Sequence, residues 1–208
     1  MDKSNLTIIT FDQLDIIDFA AARNSELAKV KTPWVLFVDS DEIITPALKD
    51  EITGICNLKS NIYSAYYLPR LDTFLGRELH HGETGHAKFI RLARRTWGEW
   101  QRPVHEKWVG PGHVGILNNP LLHHPHGTIA SFLSKINHYS TLEAQYRYKQ
   151  GVKSSLFKIL IYPLAKFKLN YLFRLGFLDG VPGAIMAIMM SFHSYLTWTK
   201  LYLLWHKK

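Results

Sequence analysis

Cysteine is nearly absent from this 208-residue sequence, where Cys56 stands alone. One thiol excludes a disulfide framework and any cysteine-based zinc module; Cys56 itself reads as a small buried residue on a helix. Acid is almost missing from one end of the chain. Residues 147–208 hold ten Lys/Arg and a single carboxylate, Asp179, a balance of +9, while residues 1–146 hold 15 basic and 16 acidic residues, a balance of −1. The formal net charge of +8 is therefore the property of the last third, and a near-neutral front with a basic, apolar tail suggests a site delivered to an acidic surface. Met1–Asn5 is polar, with none of the charged-then-apolar pattern of a secretory signal. The longest weakly polar run, Val181–Trp198, has no Lys, Arg, Asp or Glu, but Pro182, Gly183, Ser191, His193 and Ser194 interrupt it. It sits at the lower edge of the roughly 17–25 residues that a membrane span needs, so an interfacial or packed helix is expected ahead of a span. Internal repeats and low-complexity segments are missing. Hydrophobic residues at 47% and charged residues at 20% exclude a disordered chain, and the length suffices for one domain with a core or little more.

What is present has an α/β pattern. Leu6–Thr10 is short and β-branched, a strand; Asp18–Val30 is rich in Ala, Leu, Glu and Lys, a helix ended before Pro33. Trp34–Val38 is five apolar residues in a row, as expected of a strand buried on both faces. It stops at Asp39-Ser40-Asp41-Glu42, and Thr45-Pro46 then offers an N-cap and a first-turn proline for a helix to about Ile55. Ile62–Leu68 and Ala87–Leu92 read as further strands, Phe74–Gly85 as a loop, and Trp97–Leu122 as loop with short strands. Ile129–Gln150 reads as a polar, aromatic helix, and Ser154–Lys208 as helical with a break at Leu178–Gly183. Two regions are expected: residues 1–126, a catalytic-looking α/β domain, and residues 127–208, helical and basic-aromatic.

Four groups of residues are candidates for chemistry. The carboxylates of Asp39, Asp41 and Glu42 follow a buried strand, where α/β proteins bind ligands, and crowded carboxylates attract Mg²⁺ or Mn²⁺ that bridge to substrate phosphates; the competing reading is a capped turn before the next helix. Glu106, among Trp97, Trp100 and Trp108, is a candidate general base, its competing role a surface carboxylate paired with Arg102 or Lys107. His80, His81, His86, His105, His113, His123, His124 and His126 fall in one irregular window without regular zinc spacing, so polar packing or substrate contacts are expected of most and a metal contact of one. Arg91, at a strand end, suits a diphosphate clamp, while Arg94 and Arg95 read as a solvated turn.

In this order the residues resemble a family 2 glycosyltransferase, nearest to the subgroup containing lipopolysaccharide-core β-1,4-glucosyltransferases and related cell-envelope enzymes. Ala22-Arg23-Asn24 with Trp34–Glu42 is similar to that family's core pattern, Phe74-Leu75-Gly76-Arg77 and Phe89-Ile90-Arg91-Leu92 to its acceptor-side strands, Trp100–Glu106 to its tryptophan-to-His-Glu segment, and Phe177–Gly183 to its Asp-Gly tail. The resemblance implies a GT-A-like mixed sheet followed by C-terminal amphipathic helices. It also implies inverting transfer from a nucleotide-diphosphate sugar, a UDP-sugar first, to a cell-envelope glycan or lipid-linked acceptor. By carry-over, Glu106 would be the base; Arg23, Asn24, Asp39, Asp41 and Arg91 would bind the nucleotide sugar; Asp39, Asp41 and His123 would hold Mg²⁺ or Mn²⁺. Family members begin with two strands that hold the nucleotide base. Met1 falls after both, with roughly sixty residues, about two βα units, absent by that comparison, so an N-terminally truncated GT-A-like sheet is the expectation.

The tail interleaves bases and aromatics, as in Phe157-Lys158, Tyr162, Lys166-Phe167-Lys168, Tyr171 and Phe173-Arg174, the composition of a helix at an anionic lipid interface. A cytoplasmic enzyme, peripheral at the inner face of the plasma membrane, is the resulting expectation. Two other classes compete: a catalytically inactive remnant or partner subunit with the same fold, and a basic nucleic-acid binder, which the pI of about 9.5 alone suggests and no binding motif supports.

Overall fold

The computed structural model describes residues 5–11, 16–58, 60–124 and 128–206. The chain divides into two compact units, one made of the chain up to Leu71 with Ala87–His123, the other of Asp72–His86 with the chain from His124 onward.

The first unit follows local sequence closely. Strand β1 (Leu6–Phe11) leads to helix α1 (Phe19–Lys29), whose N-cap Asp18 accepts the backbone N–H of Ala21. Strand β2 (Trp34–Asp39) is buried at all six positions, with β1 parallel on one side. Strand β3 (Glu42–Ile43) follows, then helix α2 (Pro46–Asn57), started by the Thr45 cap and Pro46 as the sequence indicates. Strand β4 (Tyr63–Phe74) starts here and its last three residues belong to the other unit. After β5 (Arg77–Leu79) come β6 (Lys88–Arg94), β7 (Glu99–Gln101), β8 (Lys107–Val109), β9 (His113–Ile116) and β10 (Leu121–His123). The sheet order is β1-β2-β6-β4-β10-β3, with β9 parallel to β4; β6 runs antiparallel to both β2 and β4, so the sheet is mixed. β7 and β8 form a separate hairpin.

Alternation along β2 supplies two cores. Trp34, Leu36 and Val38 pack with Leu48, Ile52 and Cys56 of α2; Val35 and Phe37 pack with Ala20 and Leu27 of α1 and with Trp97, Trp100 and Trp108. Cys56 is buried on α2, and burial pushes its thiol up to about 12. The unbroken apolar run was thus a strand covered by a helix layer on each face.

In the second unit Leu75 and Gly76, both with positive φ, turn β4 into β5, so part of the segment expected as loop is a hairpin. Its Phe74 and Leu79 join Phe132 and Ile136 of α3 (Ile129–Lys149) and Met186 and Met189 of α5 (Gly180–His206). That shared core is why Asp72–His86 associates with the C-terminal helices and not with residues 1–126. Helix α4 (Leu156–Lys168) continues through a π-helical turn, Leu169–Phe173, and a 3₁₀ turn, Gly176–Asp179. The expected break at Leu178–Gly183 is narrower than the sequence suggests: α5 begins at Gly180, and Pro182 sits in its first turn, where no backbone N–H is needed. Gly180 has φ +68°, and a Cβ on Gly183 would lie 2.1 Å from the Gly176 carbonyl oxygen. Asp179 accepts the backbone N–H groups of His80 (3.3 Å) and His81 (2.9 Å), and pairs with the His81 ring at 2.7 Å. The Asp-Gly-x-x-Gly pattern is thereby explained as the anchor of the 80s loop to the start of α5.

Candidate active site

The carboxyl end of β2 gathers charge from four elements. Asp39, its last residue, places one oxygen on Arg23 Nη2 of α1 and the other on Arg91 Nη2 of β6, the latter at 2.7 Å. Arg23 Nε donates to Glu106 Oε1 at 3.0 Å, and Arg91 Nη1 lies 3.9 Å from the same oxygen. Glu42 donates nothing; its carboxylate accepts the Asp39 backbone N–H at 2.9 Å and lies 4.0 Å from Arg91. All five side chains are largely out of water: Arg23 is 0% exposed, and Glu106, the most open, retains 14% of its side-chain surface.

Aromatic faces make this burial tolerable. The Arg23 guanidinium lies over Phe11 (4.4 Å), Trp100 (4.8 Å) and Phe37 (5.5 Å), and Arg91 over Phe89 and Trp100. The tryptophans near Glu106 therefore pack on the arginines that grip it. Arg23 Nη1 and Arg91 Nε have no acceptor among the described residues. Burial alone would push the Asp39 carboxyl up, but the Arg91 and Arg23 guanidiniums outweigh it and hold it below the ordinary carboxylate value. Glu42 goes the other way: burial, aided by the Asp39 charge, raises its carboxyl against the pull of Arg91. Arg91 is held above the ordinary guanidinium value, because the charges of Asp39, Glu42 and Glu106 outweigh its burial.

Glu106 reaches the cluster on an unusual loop. Arg102 (φ 74°) and His105 (φ 53°) both adopt left-handed backbone, and the Pro103 carbonyl accepts the Phe19 N–H that opens α1. Non-glycine residues in this region cost about 1–2 kcal/mol each, a cost met here by the buried Val104 and the Glu106–Arg23 pair.

Of the expected ligands, Asp41 and His123 come together. Strand β10 pairs with β3 so that His123 stands opposite Glu42, and its Nε2 lies 3.5 Å from Asp41 Oδ1. Asp39 does not join them in a three-residue set; its two oxygens meet Arg23 and Arg91. Asp41 and His123 offer an oxygen and a nitrogen of the kind that divalent cations take, as a two-ligand set; among the described residues no group of three or more His, Cys, Asp or Glu is placed to hold a metal ion. Asn24 has a structural bond pair of its own. Its Nδ2 donates to the Trp100 carbonyl and its Oδ1 accepts the Trp100 N–H, both at 2.9 Å, so the amide ties α1 to β7 and keeps one N–H and one lone pair outside those two bonds. Arg23 is likewise a buried organiser of Asp39 and Glu106. The histidine window scatters: His80, His81 and His86 belong to the second unit, His105, His113 and His123 to the first, and His126 lies outside the described residues, as do Lys207 and Lys208. Glu42, grouped with Asp39 and Asp41 in the acidic turn, enters the charge cluster through the Asp39 backbone N–H and Arg91.

No protein-family model matches the chain. Its sequence is 27% identical over 188 residues to the lipopolysaccharide core biosynthesis glycosyltransferase LpsC of Rhizobium meliloti, covering 88% of this chain and 69% of the relative. It is also 27% identical over 179 residues to glycosyltransferases of uncharacterized role from Rickettsia typhi and Rickettsia conorii, covering 81% of this chain and 61% and 64% of theirs. The chain is similar to glycosyltransferases. It spans about two thirds of the length of these curated relatives.

Proposed function

We propose that this chain is an inverting glycosyltransferase, moving a sugar from a nucleoside-diphosphate donor, a UDP-sugar first, to a cell-envelope glycan or lipid-linked acceptor. The observation that carries the reading is the convergence of Asp39, Arg91, Arg23 and Glu106 at the carboxyl end of a fully buried strand. The similarity to a lipopolysaccharide-core enzyme supports it and points to the acceptor class. In this reading Glu106 takes the proton from the acceptor hydroxyl as that oxygen attacks the anomeric carbon and the bond to the diphosphate oxygen breaks. Arg91, supported by Asp39, faces the departing diphosphate with its uncommitted Nε. Arg23 acts through others, fixing Glu106 and Asp39. Asp41 and His123 would hold Mg²⁺ or Mn²⁺, which when bound offsets the negative charge of the leaving diphosphate.

The test is titration of the purified chain with UDP-sugars in Mn²⁺, followed by donor turnover. Glu106→Gln should retain donor binding and lose about 10²–10⁴-fold in turnover, and Asp41→Ala should lose the Mn²⁺ dependence of binding. Absence of binding at millimolar donor would overturn the assignment for this chain. One observation favours a second reading, a non-catalytic chain of the same fold: Arg23, Asn24 and Asp39 spend their polar atoms on one another and on Trp100. Donor binding with no turnover in the unsubstituted protein would select it.

A further inference from the structure

The second unit carries apolar surface that its own packing does not need. On α4, Ile159 and Pro163 face inward, yet Leu156, Phe157, Leu160, Ile161 and Leu164 are exposed; their spacing of i, i+1, i+4, i+5 and i+8 makes one continuous face. On α5 the exposed Val181, Ile188, Phe192 and Tyr195 fall at i, i+7, i+11 and i+14, again one face. Between the two helices runs a groove of about 610 Å³, lined by Leu160, Leu164, Ile188 and Phe192 over a floor of Ile159 and Pro163. Its hydroxyl, Ser191, is already spent on the Pro163 carbonyl at 2.7 Å. The turns after α4 extend the same character, with Phe173 76% exposed and Leu172, Leu175, Phe177 and Leu178 also open. A soluble surface rarely leaves so much apolar area contiguous.

Charge decides what covers it. From Leu156 to Tyr195 the chain has four basic residues and one acid, and that acid, Asp179, is buried against His81. Lys168 is exposed at the end of α4 and Arg174 follows the π-helical turn; Lys166 is paired at 3.0 Å with the partly exposed Glu83, so the charge bordering the apolar face is net positive. An apolar face with a net positive rim is complementary to hydrocarbon beneath anionic headgroups. Crossing the bilayer is a different matter. Gly176–His206 is long and apolar enough by composition, but α5 is the centre of a helical layer. Lys200 Nζ reaches Asn137, Ser140 and Thr141 of α3, and Arg147, paired with Glu143 at 2.8 Å, lies over the Trp198 ring. A spanning α5 would carry that ionic flank into hydrocarbon.

We infer that the exposed face of α4 and α5 is an interfacial bilayer-binding surface, with α5 lying along the membrane and the α4–α5 groove taking a lipid hydrocarbon chain. The inference needs no step of the transfer reaction and stands or falls by binding alone. The full chain is sedimented with vesicles of phosphatidylcholine, or of phosphatidylcholine with about one quarter phosphatidylglycerol. The protein should partition onto the anionic vesicles, and Leu160→Asp with Leu164→Asp should lower the partition coefficient at least about tenfold. Lys168→Glu should lower it a few-fold, by about fivefold per lost cation and more for reversal, with the loss erased in high salt. Circular dichroism and gel filtration verify the fold of each variant, and Phe157→Ser with Phe173→Ser, both at highly exposed positions, replaces the aspartate pair if that pair misfolds. Three results overturn the inference: no partition of the unsubstituted chain onto either vesicle, unchanged partition of the apolar-face variants, or retention in the vesicle pellet after an alkaline carbonate wash, which marks a span. A dimer in vesicle-free solution that Leu164→Asp dissociates, without vesicle binding, would assign the face to a second copy instead.

Discussion

Replacing Arg91 by methionine keeps the length of the side chain and removes one cation from a cluster of two cations and three carboxylates. Arg91 is buried, bonded to Asp39 at 2.7 Å, and within 4.0 Å of both Glu42 and Glu106. What remains is three carboxylates around Arg23, which holds Asp39 and Glu106 and leaves Glu42 with only the weaker pull of Arg70. Breaking a buried ion pair from one side costs about 3–5 kcal/mol, which for a chain of this size lowers the melting temperature by about 6–20 °C. The cost should depend on pH with a definite sign. The Glu42 carboxyl is already raised by burial, and loss of Arg91 raises it further. A carboxyl raised in the folded state is protonated more readily folded than unfolded. Its penalty is therefore absent below the unfolded value, near pH 4, and grows as pH rises through the folded one. Asp39 behaves oppositely in the unsubstituted protein: held low, it contributes stability above about pH 4 that is lost as pH falls through its folded value. Between pH 8 and pH 5 the variant should therefore recover more than the parent, whose Glu42 is displaced less, and the gap should narrow by up to about 1.4 kcal/mol for each further unit by which loss of Arg91 displaces Glu42. Urea unfolding in EDTA at both pH values reads the two gaps. A difference below about 1 kcal/mol at pH 8, or a gap that widens on acidification, would refute the cluster as described.

Asn24→Ala should destabilise the protein by about 1–3 kcal/mol through two orphaned Trp100 backbone groups and leave donor affinity unchanged, as parallel melting and titration experiments would reveal. Gly183→Ala should cost more than Gly151→Ala. The first forces a Cβ onto the Gly176 carbonyl at 2.1 Å, while the second meets open space and bears only the left-handed backbone cost of about 1–2 kcal/mol, a ranking that denaturant midpoints test. Cys56, buried with its thiol raised to about 12, should resist a disulfide reagent at pH 8 in the native protein and react with one equivalent in guanidinium chloride.

Features legible in the sequence were those fixed within a few residues. The Trp34–Val38 run and the Thr45-Pro46 helix start each carry their physics locally, and each formed as expected. The candidate site was legible as a set of residue types but not as a set of partners. Arg23 and Asp39 are 16 positions apart, Asn24 and Trp100 are 76, and Arg23 and Glu106 are 83. No local pattern says that Asn24 will meet a backbone while Arg91 keeps a donor in reserve. Chemistry expected of a nucleotide ligand and chemistry required to bury an arginine call for the same residues, and only the fold tells them apart. The tail shows the same ambiguity in apolar form. Leu156–Leu164 reads as amphipathic from either side, because Ile159 and Pro163 face the protein while Leu156, Leu160 and Leu164 face out. Periodicity locates a stripe against a polar background; on a helix apolar all round it cannot say which stripe is core. That required α5, whose packing claims the inner stripe and leaves the outer one, bordered by Lys168 and Arg174, to be explained by a surface other than the protein's own.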